Sequence, residues 1–104
     1  MYGLIGKFRA HRGKRDALIR AMLDDDTPIP GCISFIVAQD PSDPDAVWIT
    51  EVWDSQESHK ASLKMPSVKA SIERAMPLIA KFEMNVETIP VGGMGPALKR
   101  RYDE

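Results

Sequence analysis

Residues 48–59, which read WITEVWDSQESH, constrain this chain more than any other stretch. They describe a strand with large apolar residues on both faces that runs directly into a helix. Side chains alternate along a strand, so Val47, Ile49, Glu51 and Trp53 share one face while Ala46, Trp48, Thr50 and Val52 share the other. Neither set reads as facing water. A sheet buried on both sides in a chain of 104 residues needs its own helices on one face and a second body on the other, most simply another copy of itself. The expectation is a homodimer joined through the sheet face.

At this length, with 43% hydrophobic residues, the chain can bury one ordinary core and is too short for two. Its 14 Lys and Arg against 15 Asp and Glu give a formal net charge of -1, so no global field favours nucleic acid or an anionic membrane. Charge or proline interrupts every apolar run within a few residues, and the N-terminus enters a strand pattern without a basic leader; the expected protein is soluble and cytoplasmic. Cys32 is the single cysteine, which excludes an intramolecular disulfide and a multi-cysteine metal or cluster site. His11 and His59 are the two histidines, with no spacing that links them, so no dedicated transition-metal site is expected.

Tyr2 to Arg9 alternates Tyr2, Leu4, Gly6 and Phe8 against Gly3, Ile5, Lys7 and Arg9, a strand with one strongly apolar face. Gly13 ends it, and from Lys14 to about Leu23 the residues Leu18, Ile19, Met22 and Leu23 recur at helical spacing. Asp24 to Gly31, with two prolines and three successive carboxylates, stops this helix. Cys32 to Gln39 is a second strand, with Ile33, Phe35 and Val37 on one face and Ser34, Ile36 and Ala38 on the other. The dense turn signal Asp40 to Asp45 then makes a hairpin with the strand from Ala46 to Trp53.

Asp54 is placed as the N-cap of the next helix, with Glu57 three residues later as in a capping box. That helix is expected to run through His59 and Leu63 to Met65, to restart at Pro66, and to end or kink at Pro77. Phe82 to Val91 alternates Phe82, Met84, Val86 and Thr88 against Glu83, Asn85, Glu87 and Ile89, the last strand. The order β-α-β-β-α-β implies a ferredoxin-like α+β domain over residues 1–91, with a four-stranded antiparallel sheet carrying its helices on one face. Residues 92–104 hold Gly92, Gly93, Gly95 and Pro96 and then Lys99, Arg100 and Arg101, a tail expected to be flexible unless something docks it.

The β-α-β-β-α-β order, the Pro30-Gly31-Cys32 entry to the second strand and the run from Glu51 through Trp53 and His59 to Leu63 resemble the antibiotic biosynthesis monooxygenase domain, of the dimeric α+β barrel superfamily. The resemblance covers residues 1 to about 91. It implies sheets packed back to back in a dimer, with a cavity between sheet and helices in each protomer. Some members oxidise quinols, anthrones or related polyketide aromatics with O₂ and neither metal nor flavin, and others bind and degrade haem. The first branch implies a cofactor-independent monooxygenase with O₂ as co-substrate, for which the protein supplies an apolar pocket, a partner for the phenolic proton, and exclusion of water. The residues that mark the haem branch are replaced here at their nearest positions by Lys7, Ser62 and Ile72, which disfavours haem. Ser62 also stands where many relatives carry a histidine, and Ile49 where the anthrone-type enzymes resemble each other in an asparagine.

By this resemblance Trp53 borders an aromatic substrate, and the plain alternative is a core tryptophan. His59, in the first turns of the helix, is the candidate base, because histidine exchanges protons near neutral pH; otherwise it is an exposed helix histidine. Glu51 accepts a substrate proton or pairs with Arg9 or Lys7 on a neighbouring strand. Arg74 steadies an anionic quinolate or is a solvated helix arginine, Asn85 is equally open, and Tyr2 lines the cavity mouth or simply packs. A one-residue slip in the strand would exchange Trp53 for Trp48. From a different class of function, the same cavity would serve a non-catalytic small-molecule binding or stress-response module.

Overall fold

The computed structural model describes residues 1–95 and places eight elements in chain order. They are β1 (Tyr2–Ala10), α1 (Arg15–Leu23), β2 (Cys32–Gln39), β3 (Ala46–Trp53), α2 (Gln56–Ser62), α3 (Pro66–Ala75), a 3₁₀ turn (Met76–Leu78) and β4 (Ile79–Thr88). The strands form one antiparallel sheet in the order β2-β3-β1-β4, the ferredoxin-like α+β arrangement expected from the sequence. The basic residues expected in the tail, Lys99 to Arg101, lie outside the described residues.

Directly paired residues of an antiparallel sheet share a face, so the register sorts the side chains. Leu4 pairs with Glu51, Gly6 with Ile49 and Phe8 with Val47, and these look toward the helices. Ile5 pairs with Thr50 and Lys7 with Trp48, and these look outward. The dry core sits at one end of the helix-facing side, where the fully buried Leu18 of α1 and Val47 of β3 pack with Ala10, Ala21 and Ala75. Small residues at these points let α1 and α3 lie close to the sheet and to each other.

Four local expectations are corrected. First, β4 begins at Ile79 rather than Phe82 and ends at Thr88 rather than Val91. The 3₁₀ turn at Pro77 delivers the chain straight into the ladder, where the His11 N–H donates to Leu78 O at 2.9 Å, while Pro90 has no N–H with which to continue it. Second, the simple alternation of β4 fails, because the register with β1 shifts between Lys7 and Phe8, leaving Glu83 as the extra residue of a bulge. Phe82 therefore turns inward against Phe8, with ring centroids 5.1 Å apart in an edge-on pair, while Met84 and Val86 turn outward beside Lys7 and Ile5.

Third, the N-cap of α2 is Ser55 rather than Asp54: Ser55 is extended and its Oγ accepts the Ser58 N–H at 3.1 Å. Asp54 is still in register with β2, its N–H donating to Gly31 O at 2.9 Å, so it is one residue too early to open the helix. Fourth, α2 closes at Ser62. The N–H groups of Leu63, Lys64 and Met65 donate three residues back, to Lys60 O, Ala61 O and Ser62 O, and Met65 is extended as a residue before proline must be.

Gly31 locks the junction between β2 and α2. It adopts φ +83°, and a Cβ there would sit 2.5 Å from the Ser58 side chain and 2.8 Å from Asp54 Oδ1. The Pro30-Gly31-Cys32 entry thus has a physical reason: only glycine lets this turn approach the start of α2.

Candidate active site

Beside the dry core, the helix-facing side of the sheet is hollow. A cavity of about 810 Å³ lies between β1, β2, β3 and β4, the helices α2 and α3, and the loop after α1. Its walls are mostly apolar, built from residues such as Phe8, Phe35, Ile49, Val68, Ile72 and Phe82. Volume and chemistry together suit a flat aromatic ligand.

Trp53 closes the end of the cavity at the strand-to-helix junction and is only 3% exposed. Its indole N–H donates to Glu51 Oε1 at 3.0 Å, two residues back on the same face of β3. His59, one turn into α2, meets the Trp53 ring edge-on at 5.3 Å between centroids and lies 5.6 Å from the Tyr2 ring at a tilt of 34°. The imidazole is thus held between two aromatic rings while it lines the cavity. Ser62, buried on the next turn of α2, donates its hydroxyl to His59 O at 2.6 Å and also reaches the cavity wall.

Of the residues singled out from the sequence, Trp53, His59 and Glu51 come together in this wall. Tyr2 stands behind them, packed on His59 and paired with Trp53 across the sheet, but outside the lining. Its burial, followed by the Glu87 carboxylate beside it, pushes the phenol above the ordinary value. Glu51 does not pair with Arg9 or Lys7. Those side chains leave the opposite face of the sheet, where Arg9 meets Glu83 at 2.6 Å and Asp43 at 2.7 Å, and Lys7 meets Glu83 at 3.3 Å. Arg74 is exposed, donates to Ser71 Oγ at 3.2 Å and does not line the cavity. Asn85 is exposed opposite Gly6, also outside the lining.

Several lining residues were not singled out as site residues. Cys32 pairs with Trp53 and faces the cavity; burial first, then the Glu51 charge, push its thiol up, so it is a poor nucleophile. The loop after α1 brings Asp25, Asp26, Thr27 and Ile29 to the cavity. Hydrogen bonds from the Thr27 hydroxyl and N–H hold the Asp25 carboxyl below the usual carboxylate range. Nothing periodic marks such a loop. Its only signal is the pair Pro28 and Pro30, the first of which also lines the cavity. Among the described residues, no three of His, Cys, Asp and Glu gather as metal ligands do, and no helix is long and apolar enough to cross a membrane.

The profile of the antibiotic biosynthesis monooxygenase family matches residues 1–74. A solved structure from Chloroflexus aurantiacus, provisionally described as an antibiotic biosynthesis monooxygenase, is 61% identical and superposes with a TM-score of 0.87, covering 90% of this chain and 96% of that one. Two further structures with the same provisional description share the fold at low identity. The one from Nitrosomonas europaea is 17% identical, with a TM-score of 0.77 over 88% of this chain and 99% of that one. The one from Deinococcus radiodurans is 20% identical, with a TM-score of 0.73 over 92% and 98%. No curated protein matches the chain.

Proposed function

The chain belongs to the antibiotic biosynthesis monooxygenase family, and from that premise we propose that it is a cofactor-independent oxygenase acting on a small aromatic quinol or polyketide-type substrate. The observation that carries this reading is the cluster of Trp53, Glu51 and His59 in the end wall of an apolar cavity of about 810 Å³. An aromatic substrate lying in the cavity borders the Trp53 indole. Its phenolic proton passes to His59, whose ring the flanking Trp53 and Tyr2 hold in place. Glu51, tethered by the indole N–H, is the second acceptor in reach of the same wall. Deprotonation makes the aromatic electron-rich enough to give an electron to O₂. One oxygen atom then enters the product and the other leaves as water, the substrate supplying the electrons. The apolar walls keep water from the intermediate.

The outer face of the sheet completes the picture. Ile36 (56% exposed), Val86 and Met84 stand open on it in the single chain. In the proposed assembly a second copy covers this face, as back-to-back packing requires. Sedimentation at micromolar concentration checks this directly, and a monomer there contradicts it.

The experiment for the activity is oxygen uptake by chelator-treated protein against a panel of quinols and anthrones, with autoxidation subtracted. Turnover that persists in chelator and collapses in His59→Ala is the expected result. Saturable binding with no uptake on any panel member would instead make the protein a ligand-binding module that uses the same cavity.

A further inference from the structure

The charge of the cavity lining is one-sided. Asp25, Asp26 and Glu51 line it, and no lysine or arginine does; His59 is the single basic side chain in the wall. The two cations of β1 are turned elsewhere. Lys7 and Arg9 are committed to Glu83, Asp40 and Asp43 on the opposite face of the sheet. Arg74 approaches Asp25 from outside the lining while donating to Ser71. Asp25 stays ionised, since Thr27 donates to it twice. A ligand in this cavity therefore meets carboxylates from the exposed loop after α1 and from the half-buried Glu51 on β3, and no lysine or arginine in the wall to offset them; solvent screens the loop pair more than Glu51.

We propose that Asp25, Asp26 and Glu51 act as a charge filter, so that the cavity admits neutral aromatics and rejects anionic ones, whether carboxylated or already deprotonated. This rests on the proposed function only in taking the cavity as the ligand site. For the oxygenase it has a mechanistic consequence. The quinol enters neutral and loses its proton inside, to His59, so ionisation in solution hinders binding rather than helping it. It also gives Asp25 and Asp26 the role of specificity-determining residues, distinct from the proton acceptors on β3 and α2.

Three naphthalenes of one shape test the filter by titration calorimetry at pH 7: 2-naphthol (neutral), 2-naphthoate (anionic) and 2-naphthylmethylammonium (cationic). The expected result is that naphthoate binds at least about tenfold more weakly than naphthol while the cation binds no more weakly. In Asp26→Asn, and in wild type at high salt, the ratio should shrink severalfold through recovered naphthoate binding. Circular dichroism confirms that the variant is folded. Naphthoate binding equal to or tighter than naphthol overturns the filter, as does a ratio that neither Asp26→Asn nor salt changes, or an absence of binding by all three probes. None of these measurements requires turnover. A failed oxygen-uptake assay with the naphthol–naphthoate ratio intact would sink the oxygenase reading and leave the filter standing.

Discussion

The two tryptophans of β3 make the same hydrogen bond and live in different worlds. Trp53 donates its indole N–H to Glu51 Oε1 at 3.0 Å on the inner face, and Trp48 donates its own to Asp40 Oδ2 at 2.8 Å on the outer face. Around Trp48 the charged neighbours are paired with one another: Lys7 lies over the ring at 5.4 Å and bridges Asp40 and Glu83, and Arg9 ties Glu83 to Asp43. Around Trp53 the same donor and acceptor border empty space and a histidine. An indole–carboxylate pair is thus a structural tie when its surroundings are full and a candidate site when they are hollow. The chemistry of the pair alone does not distinguish the two.

The largest expected effect separates the faces by stability. Trp53→Ala removes an almost fully buried ring from the sheet–helix junction and is expected to cost about 3–5 kcal/mol in urea unfolding. Trp48→Ala, at a half-buried position, should cost clearly less, and equal losses would erase the contrast. Next in size, His59→Ala should lower the oxygen-uptake rate at least about a hundredfold with little change in melting temperature. A rate that survives this change would return His59 to the role of a packing residue.

Adjacent residues of β2 sharpen the contrast further. Ile36 faces outward and Phe35 faces the cavity. Ile36→Asp should therefore give an 11.6 kDa monomer in sedimentation, whereas Phe35→Asp should leave association intact and weaken ligand binding. The smallest effect concerns acid. Asp40 is held down to about 2 from its ordinary 3.8, chiefly by the Trp48 N–H and then by the Ser42 N–H. Because the folded carboxyl binds its proton less readily than the unfolded one, this contribution is complete above about pH 4 and is lost as pH falls through 2. Asp40→Asn should lower stability at neutral pH and flatten its decline between about pH 4 and 2, and an unchanged slope in that variant would contradict this.

Much of this was legible in the chain itself. Period-two alternation located β1, β2 and β3, and the dense Asp40 to Asp45 turn joined two of them, because both signals are local. The alternation of β3 also placed Trp53 with Glu51, and the helix that follows brought His59 to them. What stayed hidden depends on partners distant in sequence. The bulge at Glu83 arises from pairing with β1, some seventy-five residues away, so the inward turn of Phe82 has no local mark. The extension of β4 back to Ile79 is likewise dictated by the length of β1. Ser55 took the cap from Asp54 because a backbone bond to Gly31 holds Asp54 in the sheet. Asp25 and Asp26 read as a helix stop, and only the folded loop reveals them at the cavity.

Oxygen uptake by Trp53→Phe and Trp48→Phe, side by side on whichever quinol the wild type turns over, tests the inner-face site most directly. Each change keeps an aromatic ring and removes one indole N–H from one carboxylate. The expected result is a loss of about tenfold or more for Trp53→Phe and a rate within about twofold of wild type for Trp48→Phe. Equal loss in both variants, or loss confined to Trp48→Phe, would contradict a site on the inner face.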